Sequence, residues 1–113
     1  MLACGVALFS NLMMSEKQCY IYAVRYEKER RRIQKVKARI YAGMSSKPEQ
    51  DFLREEIIEM IDNDYVVETR IRITRDSYEP GAPVLTYMLN GERYIKTEAN
   101  DNEEDNLGEL ETF

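Results

Sequence analysis

The sequence contains no histidine and no tryptophan, and it has only two cysteines and three prolines. Histidine is the commonest general base and metal ligand, so its absence removes the usual routes to acid–base and metal catalysis. The cysteines, Cys4 and Cys19, match neither a zinc spacing nor a CxxC redox motif, and they indicate no disulfide framework. Only Ser, Lys or carboxylate chemistry would remain for an enzyme.

The remaining catalytic motifs are missing as well. Ser45 and Ser46 have no base to activate them, and the chain has neither a glycine-rich phosphate loop nor a Gly-x-Ser-x-Gly elbow. Four carboxylates fall on the predicted exposed face of a helix, where water surrounds them: Glu55, Glu56, Glu59 and Asp62. We therefore expect a protein that is not an enzyme and that uses no cofactor.

The acidic residues near the end of the chain resemble a calcium loop only in part. Asp101, Glu103 and Asp105 alternate as EF-hand ligands do. Asn106 then stands where that loop needs glycine, and Thr112 stands where it needs glutamate. We interpret the segment as a solvated acidic tail without a metal site.

Long hydrophobic runs are also absent. The apolar stretch from Met1 to Met14 follows no basic residue and is too short to cross a bilayer, so it predicts neither a signal peptide nor a membrane helix. We interpret residues 1–14 as an extension, explained by a true translation start at Met13 or Met14 or by an apolar tail that docks on the domain or a partner. Residues 15–113 then form a single domain, which we expect in the cytoplasm and away from membranes.

Charge is distributed unevenly along the chain. The net charge is −5, but residues 1–47 carry ten Lys and Arg against three acids, whereas residues 48–113 carry six against eighteen. A bound nucleic acid should therefore meet the first half, because the field of the second half repels phosphate. We favour the simpler interpretation that the two halves attract each other within one fold.

Two alternating stretches predict a β-hairpin near the start of the domain. On the first strand, Cys19 to Glu27, one face carries Tyr20, Tyr22, Val24 and Tyr26, and the other carries Ile21, Ala23, Arg25 and Glu27. After a charged connector, Val36, Ala38 and Ile40 alternate with Lys35, Lys37 and Arg39 up to Tyr41. The hairpin would have a basic outer face.

A helix is predicted from Pro48 to Asp62. Ser46 and Glu49 have the spacing of a capping box, and Pro48 would lie in the first turn, where its missing N–H costs nothing. The apolar stripe of this helix consists of Leu53, Ile57, Met60 and Ile61, with Phe52 at its border.

The second half of the chain predicts three more strands. Tyr65 to Thr74 alternates, with Tyr65, Val67, Thr69, Ile71 and Ile73 facing inward. Arg75 to Pro83 contains residues that break a ladder, and we expect a loop there. Leu85–Leu89 and Glu92–Thr97 flank Asn90-Gly91, the strongest signal for a two-residue hairpin turn, which places Tyr87 opposite Tyr94.

These elements predict an α+β fold. The order β-β-α-β-β-β indicates a small antiparallel sheet of about five strands with one amphipathic helix packed on one face. Leu107, Leu110 and Phe113, spaced three apart, would dock the acidic C-terminal tail onto the sheet.

Several segments resemble DUF3892, a bacterial and phage family of small domains of unknown function. The resemblance rests on Tyr22 to Tyr26, Ile33 to Val36, Asn90 to Thr97 and Asp105 to Leu110. The chain departs from the family pattern in its longer basic connector, in the Pro80-to-Pro83 loop and at Glu111, where a proline is expected. The resemblance implies a compact domain without an assigned activity or cofactor, and an ordered Leu107-Gly108-x-Leu110 motif.

The leading hypothesis is a non-enzymatic interaction module that contacts another protein, or its own copy, through a sheet edge or the basic hairpin. The candidate partner-binding residues are Arg30, Arg31, Arg32, Lys35, Lys37 and Arg39. A nucleic acid that follows this stripe, with Tyr20, Tyr22 and Tyr26 nearby for stacking, is the alternative that we do not favour, because DNA-binding domains are usually basic. A further alternative is an acidic inhibitor of a host defence complex, encoded by a phage or mobile element.

Overall fold

The computed structural model describes residues 17–28, 32–43 and 45–113. The proposed N-terminal extension and the candidate residues Arg30 and Arg31 lie outside these ranges. In chain order, the elements are β1 (Lys17–Tyr26), β2 (Ile33–Ala42), β3 (Ser45–Ser46), β4 (Gln50–Leu53), α1 (Arg54–Asp62), β5 (Val66–Thr74), β6 (Ser77–Pro83), β7 (Leu85–Leu89), β8 (Glu92–Lys96) and β9 (Glu111–Thr112).

Strand β1 is the centre of a seven-stranded mixed sheet. On one side it pairs antiparallel with β2, whose far edge carries β3 and β4. On its other side β1 pairs parallel with β5 and then, further along, with β9. Strand β6 pairs antiparallel with β5 and ends the sheet. Strands β7 and β8 form a separate two-stranded sheet.

The predicted five-stranded antiparallel sheet is therefore wrong in strand number and direction, while the α+β class is right. The antiparallel pairing of β1 with β2 is as predicted. The parallel neighbours of β1 come from distant segments, and alternation within one strand carries no information about which strand lies beside it. No helix of the described residues is long and apolar enough to cross a membrane.

A β-bulge changes which side chains of β1 face the core. Ile21 pairs with Ala38, but the next pair joins Ala23 to Lys37, so Tyr22 is an extra residue in the ladder. Val24 consequently lies on the same face as Ile21 and is buried. The prediction that grouped Val24 with the tyrosines was wrong, because a bulge reverses the alternation after it.

The core lies between one face of the sheet and a layer made of α1, the β7–β8 hairpin and the C-terminal segment. Its fully buried side chains include Ile21, Val36, Ile57, Ile95 and Leu107. Burial of large aliphatic side chains of this kind stabilises a domain by about 1.5–3 kcal/mol each. The helix therefore packs on one sheet face, and within residues 17–28, 32–43 and 45–113 no helix covers the opposite face.

Helix α1 begins six residues later than predicted. The segment before it is β4, because Phe52 is buried and its backbone pairs with Val36. The helix is capped at Leu53, whose backbone N–H donates to the Glu56 carboxylate over 2.8 Å. Since β4 alternates, Leu53 faces away from Phe52 and is 53% exposed, so its assignment to the apolar stripe was wrong.

Strand β6 occupies the segment that was predicted to be a loop. Pro80 and Pro83 are compatible with a strand here because β6 lies at the sheet edge, where one side of the backbone needs no partner. Gly81 allows a close approach to β5, since a Cβ atom there would clash with Thr69 Oγ1. That hydroxyl accepts a hydrogen bond from the Ala82 N–H over 2.9 Å.

The β7–β8 hairpin has the predicted register. Tyr87 pairs with Tyr94, Leu89 with Glu92 and Thr86 with Ile95. Asn90 and Gly91 both have positive φ, as the two-residue turn requires.

Candidate functional site

The sheet face opposite α1, which we call the open face, combines aromatic rings with cations. Strand registers place side chains on it from six strands. Its aromatic members are Tyr20, Tyr22, Tyr41, Tyr78 and Phe113; its cations are Arg25, Lys35, Lys37, Arg39, Arg70 and Arg72; and its carboxylates are Asp51, Glu68 and Glu111. Twice as many cations as carboxylates therefore share one surface of a protein whose net charge is −5.

The rings form two contacting pairs. The ring centroids of Tyr20 and Tyr41 are 5.1 Å apart, and those of Tyr22 and Tyr78 are 4.7 Å apart. Both pairs are tilted, a geometry that the quadrupoles of aromatic rings favour. The β-bulge contributes here, because it places Tyr22 on this face without turning Val24 away from the core; Tyr22 is itself buried, in contact with Tyr78.

Guanidinium groups lie over these rings. Arg70 stacks on Tyr20 at 3.9 Å from the ring centroid, and Arg72 lies 5.2 Å from the centroid of Tyr78. Such cation–π contacts fix the position of an arginine over the ring, and the side chains of Arg70 and Arg72 are 20% and 39% exposed here. Flat guanidinium and ring surfaces side by side are what an unpaired base stacks on.

Phe113 forms a third aromatic position. Arg25 and Lys37 each lie 4.6 Å from its ring centroid. The backbone N–H of Phe113 donates to Val24 O over 3.2 Å, and Arg25 Nε donates to Phe113 O over 2.9 Å. The C-terminal segment thus completes the open face instead of trailing into solvent.

Most cations of the open face are held by carboxylates of the chain itself. Lys35 and Lys37 both lie 3.5 Å from Asp51. Arg70 pairs with Glu68 at 3.5 Å, and Arg72 pairs with Glu111 at 2.8 Å. These exposed pairs contribute little to stability, roughly 0–1 kcal/mol each. Their effect is to fix the side chains in place on the sheet.

Arg39 differs from the other cations. Among the described residues no carboxylate lies within ion-pair distance of it, and its Nε atom is buried without a hydrogen-bond partner. A hydrogen bond with Tyr41 is the main cause that raises the pKa of its guanidinium. Burial and a hydrogen bond with Tyr41 also raise the pKa of Tyr22, so its hydroxyl stays protonated.

The structure places the predicted partner-binding residues in two different regions of the molecule. Lys35, Lys37 and Arg39 lie together on the open face. Arg32 instead contacts the β7–β8 hairpin, where it pairs with Glu92 and lies 5.0 Å from the ring centroid of Tyr94. Tyr26 also leaves the predicted stacking set, because it packs against the core and its hydroxyl accepts the Leu107 N–H.

Sequence reasoning missed the contribution of the later strands to this surface. The alternation of Arg70 and Arg72 in the sequence predicts that both side chains face outward. Only the parallel pairing of β1 with β5 places them beside Tyr20. Tyr78 was hidden in a segment interpreted as a loop. No local pattern could have joined these residues, because their neighbours come from distant parts of the chain.

Asp105 is a buried carboxylate on the core side of the molecule, and it is fully partnered. Its Oδ2 accepts from the Ile33 N–H and Arg54 Nε, and its Oδ1 accepts from the Ile95 N–H and an Arg54 terminal nitrogen, over 2.7–3.2 Å. Arg54 also donates to the carbonyl of Arg93. These contacts tie β2, α1, β8 and the C-terminal segment together, and they leave the carboxylate no lone pair for chemistry.

Lys96 is a second buried charge, with no exposed surface. Its ammonium donates to the main-chain oxygen and Oδ1 of Asn100 and to the main-chain oxygen of Asn102. All three donors of the ammonium are therefore used. The acidic segment after β8 wraps around this side chain, and among the described residues no group of acids or cysteines is arranged to hold a metal ion.

Two further titratable groups, the Cys19 thiol and the Asp62 carboxyl, have shifted pKa values. Burial raises the pKa of the Cys19 thiol to about 12, so it stays protonated and packs as a small apolar side chain. On the exposed side of α1, a hydrogen bond from Arg93 lowers the pKa of Asp62.

The fold is that of a small α+β domain, and the described side chains of its open face are held by one another. A family model described as "Protein of unknown function (DUF3892)" matches residues 20–111. The chain belongs to this family. The match covers most of the chain and includes the open face apart from Phe113, the β7–β8 hairpin and the Asp105 segment. A comparison with curated proteins found no match, and neither did a comparison with solved structures.

Proposed function

We propose that this domain is a non-enzymatic binding module that holds a single-stranded nucleic acid on its open face. The observation that carries the proposal is that Arg70 stacks on Tyr20 and that Arg72 lies over Tyr78, both on the sheet face opposite α1. Proteins that bind single strands combine a positive surface, which follows the backbone, with flat groups on which successive bases stack.

The overall negative charge is compatible with this proposal because the acids are concentrated elsewhere. The exposed acids of α1 are Glu55, Glu56, Glu59 and Asp62, and the segment after β8 carries Glu98, Asp101 and Glu103. A phosphate backbone is repelled from those regions and attracted to the open face. The excess of cations over carboxylates on that face is small, so we expect weak binding that is strongest at low salt and whose salt dependence corresponds to only a few phosphate contacts.

An acidic segment of another protein is the rival ligand for the same face, since Tyr and Arg also dominate protein interfaces. This is the protein-partner hypothesis that the sequence favoured, and the inhibitor hypothesis is a special case of it. We prefer nucleic acid because the carboxylates of an acidic peptide would use only the cations of the open face. The flat ring and guanidinium surfaces of that face can also stack on bases. A protein–protein interface would instead need anchoring side chains of one partner that fill pockets on the surface of the other.

The test is a fluorescence-anisotropy titration of a labelled oligothymidylate with the domain at low salt, repeated with Tyr20→Leu. Stacking on an aromatic ring contributes about 1–3 kcal/mol per base, so we expect the substitution to weaken binding roughly tenfold. Leucine keeps an apolar side chain at this position, which preserves the packing beneath the face.

The matched control is Tyr87→Leu, which makes the same chemical change on the β7–β8 hairpin, away from the open face. This variant should bind like the wild type. No binding of the wild-type domain even at low salt, together with binding of an acidic peptide, would assign the face to a protein partner. Equal losses from both tyrosine variants would place the contact elsewhere.

A further inference from the structure

The cations of the open face are not equivalent toward a bound anion. Arg70 and Arg72 are both stacked on rings and paired with carboxylates, and Lys35 and Lys37 share Asp51. Arg25 donates to the carbonyl of Phe113 and lies over its ring. An incoming phosphate must displace these partners or compete with them, which reduces the binding free energy that it gains at each of these cations.

Arg39 has no carboxylate competitor among the described residues, although the Tyr41 hydroxyl contributes to its raised pKa. It lies directly across from Tyr20 in the β1–β2 ladder, next to the Tyr20–Tyr41 ring pair. Its buried Nε has no partner among the described residues, although a guanidinium normally uses its donors in full when they are withdrawn from water. Because the Nε atom itself is buried, an anion can reach only the terminal nitrogens of the Arg39 guanidinium, which belongs to a partly exposed residue.

The surroundings of Arg39 suit a phosphate in particular. A planar guanidinium with several N–H donors matches the tetrahedral oxygens of a phosphate through two parallel hydrogen bonds. The hydroxyls of Tyr22 and Tyr41 are part of the same hydrogen-bonded group as Arg39. A phosphate here would leave its base free to stack on the adjacent Tyr20–Tyr41 pair, or on Arg70 above Tyr20.

We propose that Arg39 is the phosphate-binding residue of the open face, and that the other arginines of the face position or stack bases. This inference rests on the proposed function, since it assigns the parts of the same surface. It makes one side chain responsible for a single localised phosphate contact, in place of a diffuse attraction spread over all six cations.

The experiment measures the affinity of a labelled oligothymidylate of about eight nucleotides at several salt concentrations, for the wild type and for Arg39→Gln. Each phosphate neutralised on a single strand contributes about 0.7 to the slope of log affinity against log salt. We expect Arg39→Gln to lower that slope by about 0.7 and to weaken binding roughly tenfold at low salt. A purely structural role of Arg39 would lower the affinity without changing the slope, and would contradict the inference.

Two further variants keep the test decisive. Arg39→Lys retains the charge and loses the paired hydrogen bonds, so it should keep the wild-type slope while binding several-fold more weakly. Arg75→Gln removes the same unit of charge from the exposed turn between β5 and β6, and it should leave both slope and affinity near the wild-type values. A loss of slope in Arg75→Gln equal to that in Arg39→Gln would show a diffuse field and overturn the inference.

Failure of the wild type to bind any oligonucleotide would overturn the proposed function itself, and not only the inference about Arg39.

Discussion

Replacing Asp105 with Asn should lower the free energy of unfolding by about 3–5 kcal/mol, although the two side chains have nearly the same shape. Each carboxylate oxygen faces two donors, one backbone N–H and one nitrogen of Arg54. An amide in either orientation therefore places its own N–H group against two donors. The substitution also leaves the Arg54 guanidinium, whose side chain is 13% exposed, without a counter-charge.

Urea-induced unfolding followed by circular dichroism measures this effect, with Asp101→Asn as the control. Asp101 is exposed and lies in the same acidic segment, so its substitution removes the same charge without touching a buried contact. We expect the control to stay within about 0.5 kcal/mol of the wild type. A similar stability for Asp105→Asn and Asp101→Asn would show that the Asp105 contacts do not hold the four elements together.

Lys96→Met should destabilise the domain by about 3 kcal/mol. Methionine fills a similar volume, and exchanging a buried ion pair for apolar groups is often harmless when both partners change. Here the partners are oxygens of Asn100 and Asn102, and they stay behind. Two of them belong to the main chain and would be left facing a thioether with no donor in reach.

The consequence should be local as well as global. Hydrogen exchange should accelerate at the Asn102 amide, which donates to Asn100 Oδ1 in the wrapped segment. Lys47→Met is the control, because Lys47 is exposed and only its backbone is hydrogen-bonded. Wild-type stability together with unchanged exchange in Lys96→Met would mean that the lysine does not organise this segment.

The parts of the fold that were predicted correctly depend on short-range signals. Asn90-Gly91 fixes a two-residue turn, and the turn fixes the pairing of Tyr87 with Tyr94 on either side of it. The alternation of Val67 and Thr69 likewise predicted their burial in β5. Neighbouring residues determine these features, and for that reason the sequence alone was sufficient.

The errors have tertiary causes. Pro48 and Glu49 provide a plausible helix start, but burial of Phe52 against β2 selects a strand for the residues before α1. The prolines of β6 are permitted only because the strand is at an edge, which is a property of the sheet and not of the segment. The bulge at Tyr22 is a third example, because the apolar–polar alternation of the β1 sequence is equally regular for a strand that has no bulge.

The candidate site was recognisable only in part for the same reason. The basic hairpin supplied Lys35, Lys37 and Arg39, together with the tyrosines of β1. The stacking partner of Tyr20 is Arg70, which comes from β5, a strand that reaches β1 after the chain has passed through α1. Because the parallel pairing is non-local, an outward arginine on β5 could not be distinguished from any other solvated charge.

The central claim is that single-stranded nucleic acid lies on the open face, and NMR chemical-shift mapping tests it most directly. The measurement adds an oligothymidylate to the isotopically labelled domain at low salt. The account predicts shifts that saturate and are confined to the amides of the outward residues of β1, β2 and β5, with Tyr20, Arg39 and Arg70 among them. Shifts on α1 and the β7–β8 hairpin instead, or no shifts at all, would contradict it.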